Sequence, residues 1–150
     1  KILVPVVSTS RAPSVTQTGS PWVVRVVPRG EAEDAGLVPP DFRADAPEAA
    51  AFVAAFRARH GRAPGPWAAA GHDAARAIAA GLVAARGRGG VDLRDALRGL
   101  VLVPGAAGCF DVDRRGERVP SIRGPAGVAV RAALAIVDAV APSTLLGAVP

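Results

Sequence analysis

The run from Asp45 to Leu82, DAPEAAAFVAAFRARHGRAPGPWAAAGHDAARAIAAGL, constrains the fold more than any other stretch of the chain. It reads as two helices hinged on a Gly- and Pro-rich turn. Asp45 is an N-cap candidate, Pro47 suits a first helical position, and Glu48 puts an acid in the first turn. Phe52 and Phe56 stand one turn apart with Val53 beside them, which gives an apolar face. Arg57, Arg59 and His60 crowd the last turn, where cations meet the negative dipole end, and Gly61 supplies the stop. Pro64-Gly65-Pro66 forbids continuation. A second helix begins near Trp67 and sets Trp67, Gly71, Ala74, Ile78 and Leu82 on one stripe. An antiparallel or steeply crossed pair over a shared core is expected.

Ahead of this pair lie two strand candidates. Lys1–Val7, KILVPVV, reads as a buried strand with Pro5 near its start or on an edge. A hydroxyl-rich loop, Ser8 to Ser14, follows directly. Ligands dock at the carboxyl ends of strands in open α/β sheets, and the same hydroxyls equally suit plain turn satisfaction. Trp22–Val27, WVVRVV, is the second candidate, with Arg25 interrupting its apolar run. Pro28–Pro40 is turn-rich and acidic, a connection. Strands followed by a long helical region imply an α/β architecture.

Beyond the helix pair, Arg86-Gly87-Arg88-Gly89-Gly90 is a flexible break without the Lys-Ser/Thr ending of a phosphate-binding loop. Asp92 opens a short helix, DLRDALRGL, with Asp95 in a capping-box-like position and Leu93, Leu97 and Leu100 on one face. Gly105–Gly108 reads as a loop, Cys109–Asp113 as a strand, and Arg114–Glu117 as a tight turn. In the Ala/Val-rich tail after Gly124, Val130, Leu134, Val137 and Val140 fall on one helical stripe, while short apolar runs as such fit helix and strand alike.

Composition narrows the chemistry. Half of the 150 residues are apolar but only 4% are aromatic, so the core is built from Ala, Val and Leu, which bury little area each. The net charge of +5 invites a nucleic-acid reading. Against it, Lys1 is the only lysine, the arginines are scattered, and no aromatics interleave them for base stacking. No nucleic-acid partner is expected. Cys109 stands alone, so no internal disulfide forms. Without an initiator Met or a cationic-then-apolar leader, the chain reads as a processed form or a fragment. Arg131 and Asp138 break the apolar tail and argue against a membrane span.

Three chemical constellations fail on inspection. Asp111-x-Asp113-x-x-Gly116 copies the first, third and sixth positions of a calcium loop, but Arg115 and Ile122 occupy its fifth and twelfth. His60 and His72, the only histidines, lack companions at zinc spacing. A Cys109-His72-Asp73 or Ser-His-Asp set can be drawn, yet no nucleophile motif accompanies it. No metal, cofactor or enzymatic activity is expected.

Taken together, the segments resemble the substrate-binding proteins of branched-chain amino acid (Leu/Ile/Val) ABC transporters, which have the type I periplasmic-binding fold. Val4–Ser10, Ala12–Thr16 and Val24–Pro28 look like that family's strand, ligand loop and following strand. Phe52–Pro64 resembles its F-x-x-x-Y-x-x-x-x-G-x-x-P helix and turn. Trp67–Ala75 is similar to its Y-A-A-x-x-Y-D-A helix, with His72 where tyrosine is usual, and Leu93–Leu100 to its x-x-R-x-A-L helix. Gly108–Glu117 matches G-x-x-x-F-D-x-x-G-D. The common order of these motifs covers most of residues 1–120.

The resemblance implies a non-catalytic, extracytoplasmic solute-binding protein, in the periplasm or anchored as a lipoprotein. Its partners would be an amino-acid-like ligand and, in the full-length protein, a membrane permease. The fold implied is a partial lobe, a parallel sheet flanked by helices, forming one incomplete ligand-binding unit over 1–150. Strands and ligand loop take 1–30, a connection replaces the second lobe at 31–44, helices and a terminal strand-turn take 45–120, and a tail takes 121–150. The site residues carried over are Ser8, Thr9, Ser10 and Arg11. Arg11 sits where a small or hydroxyl residue is common, and its guanidinium suits a ligand carboxylate. The family closes two lobes on its ligand, so weak affinity is expected from one. The alternative is a non-binding remnant, or a sensing domain of the same fold, that self-associates through exposed apolar surface.

Overall fold

The computed structural model describes residues 3–31 and 42–121, and the fold they form is mixed α/β. Strands β1 (Val6–Ser8) and β2 (Val23–Arg25) run parallel, with Val6 opposite Val23 and Ser8 opposite Arg25. A parallel pair needs a crossover, and here residues 9–22 supply it with a single-turn helix, α1 (Ser14–Gln17). A 3-10 turn, Pro47–Ala49, leads into α2 (Ala50–His60), and α3 (Pro66–Ala84) and α4 (Gly90–Leu97) follow. The described chain closes with β3 (Val103–Gly105), β4 (Gly108–Val112) and β5 (Arg118–Pro120) in an antiparallel sheet of order β3-β4-β5. The expected parallel sheet is thus two strands, and the three-stranded sheet beside it is antiparallel. The two meet where the Arg25 N–H donates to the Gly116 carbonyl at 2.7 Å.

The core comprises Val24 and Val26 from around β2, Ala77 of α3, Leu97 and Leu100, and Val103, Phe110 and Val112 of the antiparallel sheet. Helix α3 enters this core on small residues. Ala69, Ala70, Asp73, Ala77 and Gly81 are its buried positions. A side chain at Gly81 would put its Cβ 2.7 Å from Leu97 Cδ2, so glycine there lets α4 lie close.

This corrects the expected stripe on α3, of which Ala74 packs against the core while the large side chains do not. Trp67, Ile78 and Leu82 are 47%, 41% and 38% exposed. The helix turned its small-residue face inward because Leu93 and Leu97 of α4 fill the space that large α3 side chains would need. The shared core of the two long helices is corrected likewise. Helix α2 gives the core cluster no residue, and it meets α3 through the Phe52 and His72 rings, with centroids 4.7 Å apart.

Other local expectations divide. Gly61 ends α2 in the left-handed conformation (φ 66°), and its N–H donates to the Arg57 carbonyl. Asp45 caps nothing, because Arg43 holds it in an exposed ion pair at 3.0 Å, and that hydrogen bond also lowers its pKa. Asp95 likewise pairs with Arg94 rather than capping α4, whose N-cap is Gly89. The first strand is shorter and more open than expected, with Val6 53% exposed. Part of the Gly105–Gly108 loop is strand: its first residue closes β3 and its last opens β4. Most of the 31–44 connection and nearly all of the 121–150 tail lie outside the described residues.

Candidate functional site

The four residues singled out by sequence form one loop at the carboxyl end of the parallel pair. Ser8 ends β1, and Thr9, Ser10 and Arg11 carry the chain toward α1, all four half-buried. Hydrogen bonds fix the loop at both ends. The Val26 N–H donates to the Ser8 carbonyl at 3.0 Å, and the Gly30 N–H donates to the Arg11 carbonyl at 2.8 Å. Ser8 Oγ accepts the Ser10 N–H (3.1 Å), and Ser10 Oγ accepts the Ala12 N–H (3.3 Å). Two of the hydroxyls therefore spend lone pairs on turn geometry, as short polar side chains in turns do. Thr9 makes no side-chain hydrogen bond among the described residues.

Behind the loop stands Arg25, the charge that interrupts the apolar strand. It is fully buried (0% exposed). Its guanidinium donates to the Ala12 carbonyl at 2.7 Å and to Thr16 Oγ1 at 2.9 Å, and it pairs with Glu117 at 3.1 Å. Thr16 Oγ1 in turn donates to Glu117 Oε1. One side chain thus ties the Ala12–Thr16 segment to the turn before β5. A buried guanidinium is costly without an opposite charge and acceptors beside it, and Glu117, the Ala12 carbonyl and Thr16 supply these.

A second buried charge, Asp73 of α3, anchors the antiparallel sheet. Its Oδ1 accepts the Ala106 N–H at 2.6 Å, its Oδ2 accepts Arg118 at 2.6 Å, and His72 Nδ1 lies 3.4 Å from Oδ1. Burial pushes the Asp73 pKa up, but the bonds from His72, Arg118 and the Ala106 N–H, with the charge of Arg118, outweigh it and hold the carboxyl below the usual 3.8. Arg118 also donates to the Val26 carbonyl at 2.7 Å and lies 4.1 Å from the Phe110 ring centroid, a cation–π contact. A Cβ at Gly105 would stand 2.9 Å from both Asp73 oxygens and from the Gly108 carbonyl oxygen, so any side chain there would force the junction to shift.

The remaining candidates fall to structural duties. Asp111 accepts the Leu102 N–H at 2.6 Å, steadying a residue held at φ 55°. Asp113 Oδ1 accepts the N–H groups of Arg115 (2.8 Å) and Glu117 (2.9 Å), so the calcium-like spacing builds a turn. Cys109 is exposed on β4. Both histidines line a cavity of about 500 Å³ between α2 and α3, together with Phe52, Phe56, Arg59 and Arg76. Sequence reasoning saw Arg25 only as a break in a strand, Asp73 only in a catalytic set it set aside and Glu117 only as a turn residue, and it passed over Arg118. Its available signal was a lone charge inside an apolar strand or an alanine-rich helix, which demands a partner elsewhere. No family model, curated protein or solved structure matches the chain.

Proposed function

We propose that this chain is a solute-binding module of the kind found in type I periplasmic-binding proteins, a partial lobe that binds a small amino-acid-like ligand without catalysis, outside the cytoplasm. The observation that carries the reading is the loop Ser8–Arg11, held at the carboxyl end of a parallel strand pair with the Thr9 hydroxyl uncommitted among the described residues. Supporting it, residues from separate motifs of the resemblance converge on one buried junction. Asp73 of the second helix motif bonds the Ala106 N–H, next to the terminal strand motif, and Arg118 covers that motif's Phe110. Thr9 and loop N–H groups would take the ligand carboxylate, with Arg11 beside them.

One lobe presents half a site, so millimolar affinity is expected. Titrating the labelled chain with leucine should shift the amide resonances of residues 9–11, and Thr9→Val should abolish the shifts. Absence of any shift at those amides would refute loop binding, and micromolar calorimetric affinity would refute the single-lobe reading. A second reading, a self-associating module without a small ligand, is favoured by the exposed Trp67, Ile78 and Leu82 on α3. Size-exclusion chromatography separates the two, since a clean monomer excludes self-association.

A further inference from the structure

The cavity between α2 and α3 is far from spent by the loop reading, and its chemistry differs from that of a hydroxyl loop. Its volume, about 500 Å³, falls in the range of small-molecule sites. The walls are aromatic. Phe52 and Phe56 stand one turn apart on α2 with ring centroids 5.8 Å apart, and Phe52 is further buttressed by Phe42 at 5.9 Å. The imidazoles extend this surface, with His72 4.7 Å from Phe52 and His60 4.4 Å from Phe56. Only one chain element on the sheet side, Pro104-Gly105 of β3, completes the lining.

Charge around the walls is one-sided. Arg59 and Arg76 face a single lining acid, Glu48. Among the described residues neither Arg59 nor Glu48 has an ion-pair partner. Aromatic walls select a flat apolar body, and guanidinium groups select a planar carboxylate, which they bind in two parallel hydrogen bonds. A cationic ligand would be repelled by the arginines, and a zwitterion would carry its ammonium into the same field.

We infer that the α2–α3 groove is a second, independent binding site, for a small aromatic monocarboxylate whose ring stacks on Phe52 and Phe56 and whose carboxylate meets Arg59. This site does not depend on the Ser8–Arg11 loop, and different amide resonances report each.

The test compares three probes of one shape, phenylacetate, phenylalanine and phenethylamine, titrated into the full chain in one buffer at one fixed pH. Phenylacetate should saturate and shift the amides of Phe52, Phe56 and His72, phenylalanine should bind more weakly, and phenethylamine should not bind. Arg59→Gln should weaken phenylacetate roughly tenfold, as loss of one charge-assisted hydrogen-bonded contact does. Ala55 is exposed on α2 and lines the groove, so Ala55→Trp should fill it and abolish binding while far-UV circular dichroism stays unchanged. Phenethylamine binding as tightly as phenylacetate would overturn the inference. So would unaltered phenylacetate affinity in either variant, or shifts confined to residues 9–11.

Discussion

Among the described residues, two buried arginine–carboxylate pairs are built in opposite senses. In one, the base lies deepest: Arg25 is 0% exposed, and the side chain of its partner Glu117 is 18% exposed. In the other the acid lies deeper, with the Asp73 side chain 6% exposed and that of Arg118 15%. The difference matters because a carboxylate can escape an unfavourable burial by taking up a proton, whereas a guanidinium stays charged at every pH a folded protein meets. The Asp73 junction therefore has a chemical exit that the Arg25 junction lacks.

Asp73→Ala should have the largest effect. It leaves Arg118 and the Ala106 N–H without their partner, and a loss of about 3–5 kcal/mol in urea unfolding is expected. Glu117→Ala should cost about 3 kcal/mol in the same measurement, because it strands the deeper charge. Equal stability of Glu117→Ala and the parent chain would break the comparison outright.

Arg118→Ala should cost about 2 kcal/mol near neutrality and less in acid. The Asp73 pKa is depressed in the folded chain, so its stabilisation is complete above the unfolded value and disappears as pH falls through the folded one. The gap between parent and variant should accordingly narrow as pH drops through 3.8, measured as unfolding midpoints across a pH series. Thr16→Val should have the smallest effect, about 1 kcal/mol, since Arg25 keeps Glu117 and the Ala12 carbonyl. A larger loss would show that the hydroxyl, which also bonds Glu117, sets the geometry of the pair.

Local sequence signals carried the elements but not their mutual faces. Gly61, Pro66 and the Arg114–Glu117 turn were legible because their chemistry acts within a few residues. Asp45 and Asp95 looked like caps and became ion pairs with Arg43 and Arg94, since an adjacent guanidinium competes with backbone N–H groups for the same carboxylate. The buried face of α3 was misread for a different reason. Size favoured Trp67, Ile78 and Leu82, but close approach to Leu97 required Ala77 and Gly81, and only the position of α4 reveals that. Of the candidate site, the loop Ser8–Arg11 was legible as a hydroxyl run after a strand. The groove was not, because its aromatic and cationic residues come from α2 and α3 and meet only when both helices are placed.

The turn that brings Gly116 onto β2 has a consequence for how the chain is made. Glu117 reaches Thr16 across 101 residues, and Arg118 reaches Val26 across 92. Contacts so distant along the chain form late, after the entropy of closing a long loop has been met. During synthesis the first strands leave the ribosome well before the residues that neutralise Arg25. Until then its guanidinium must remain in water, and the segment that bears Ser8–Arg11 waits, unfinished, for the far end of the described chain.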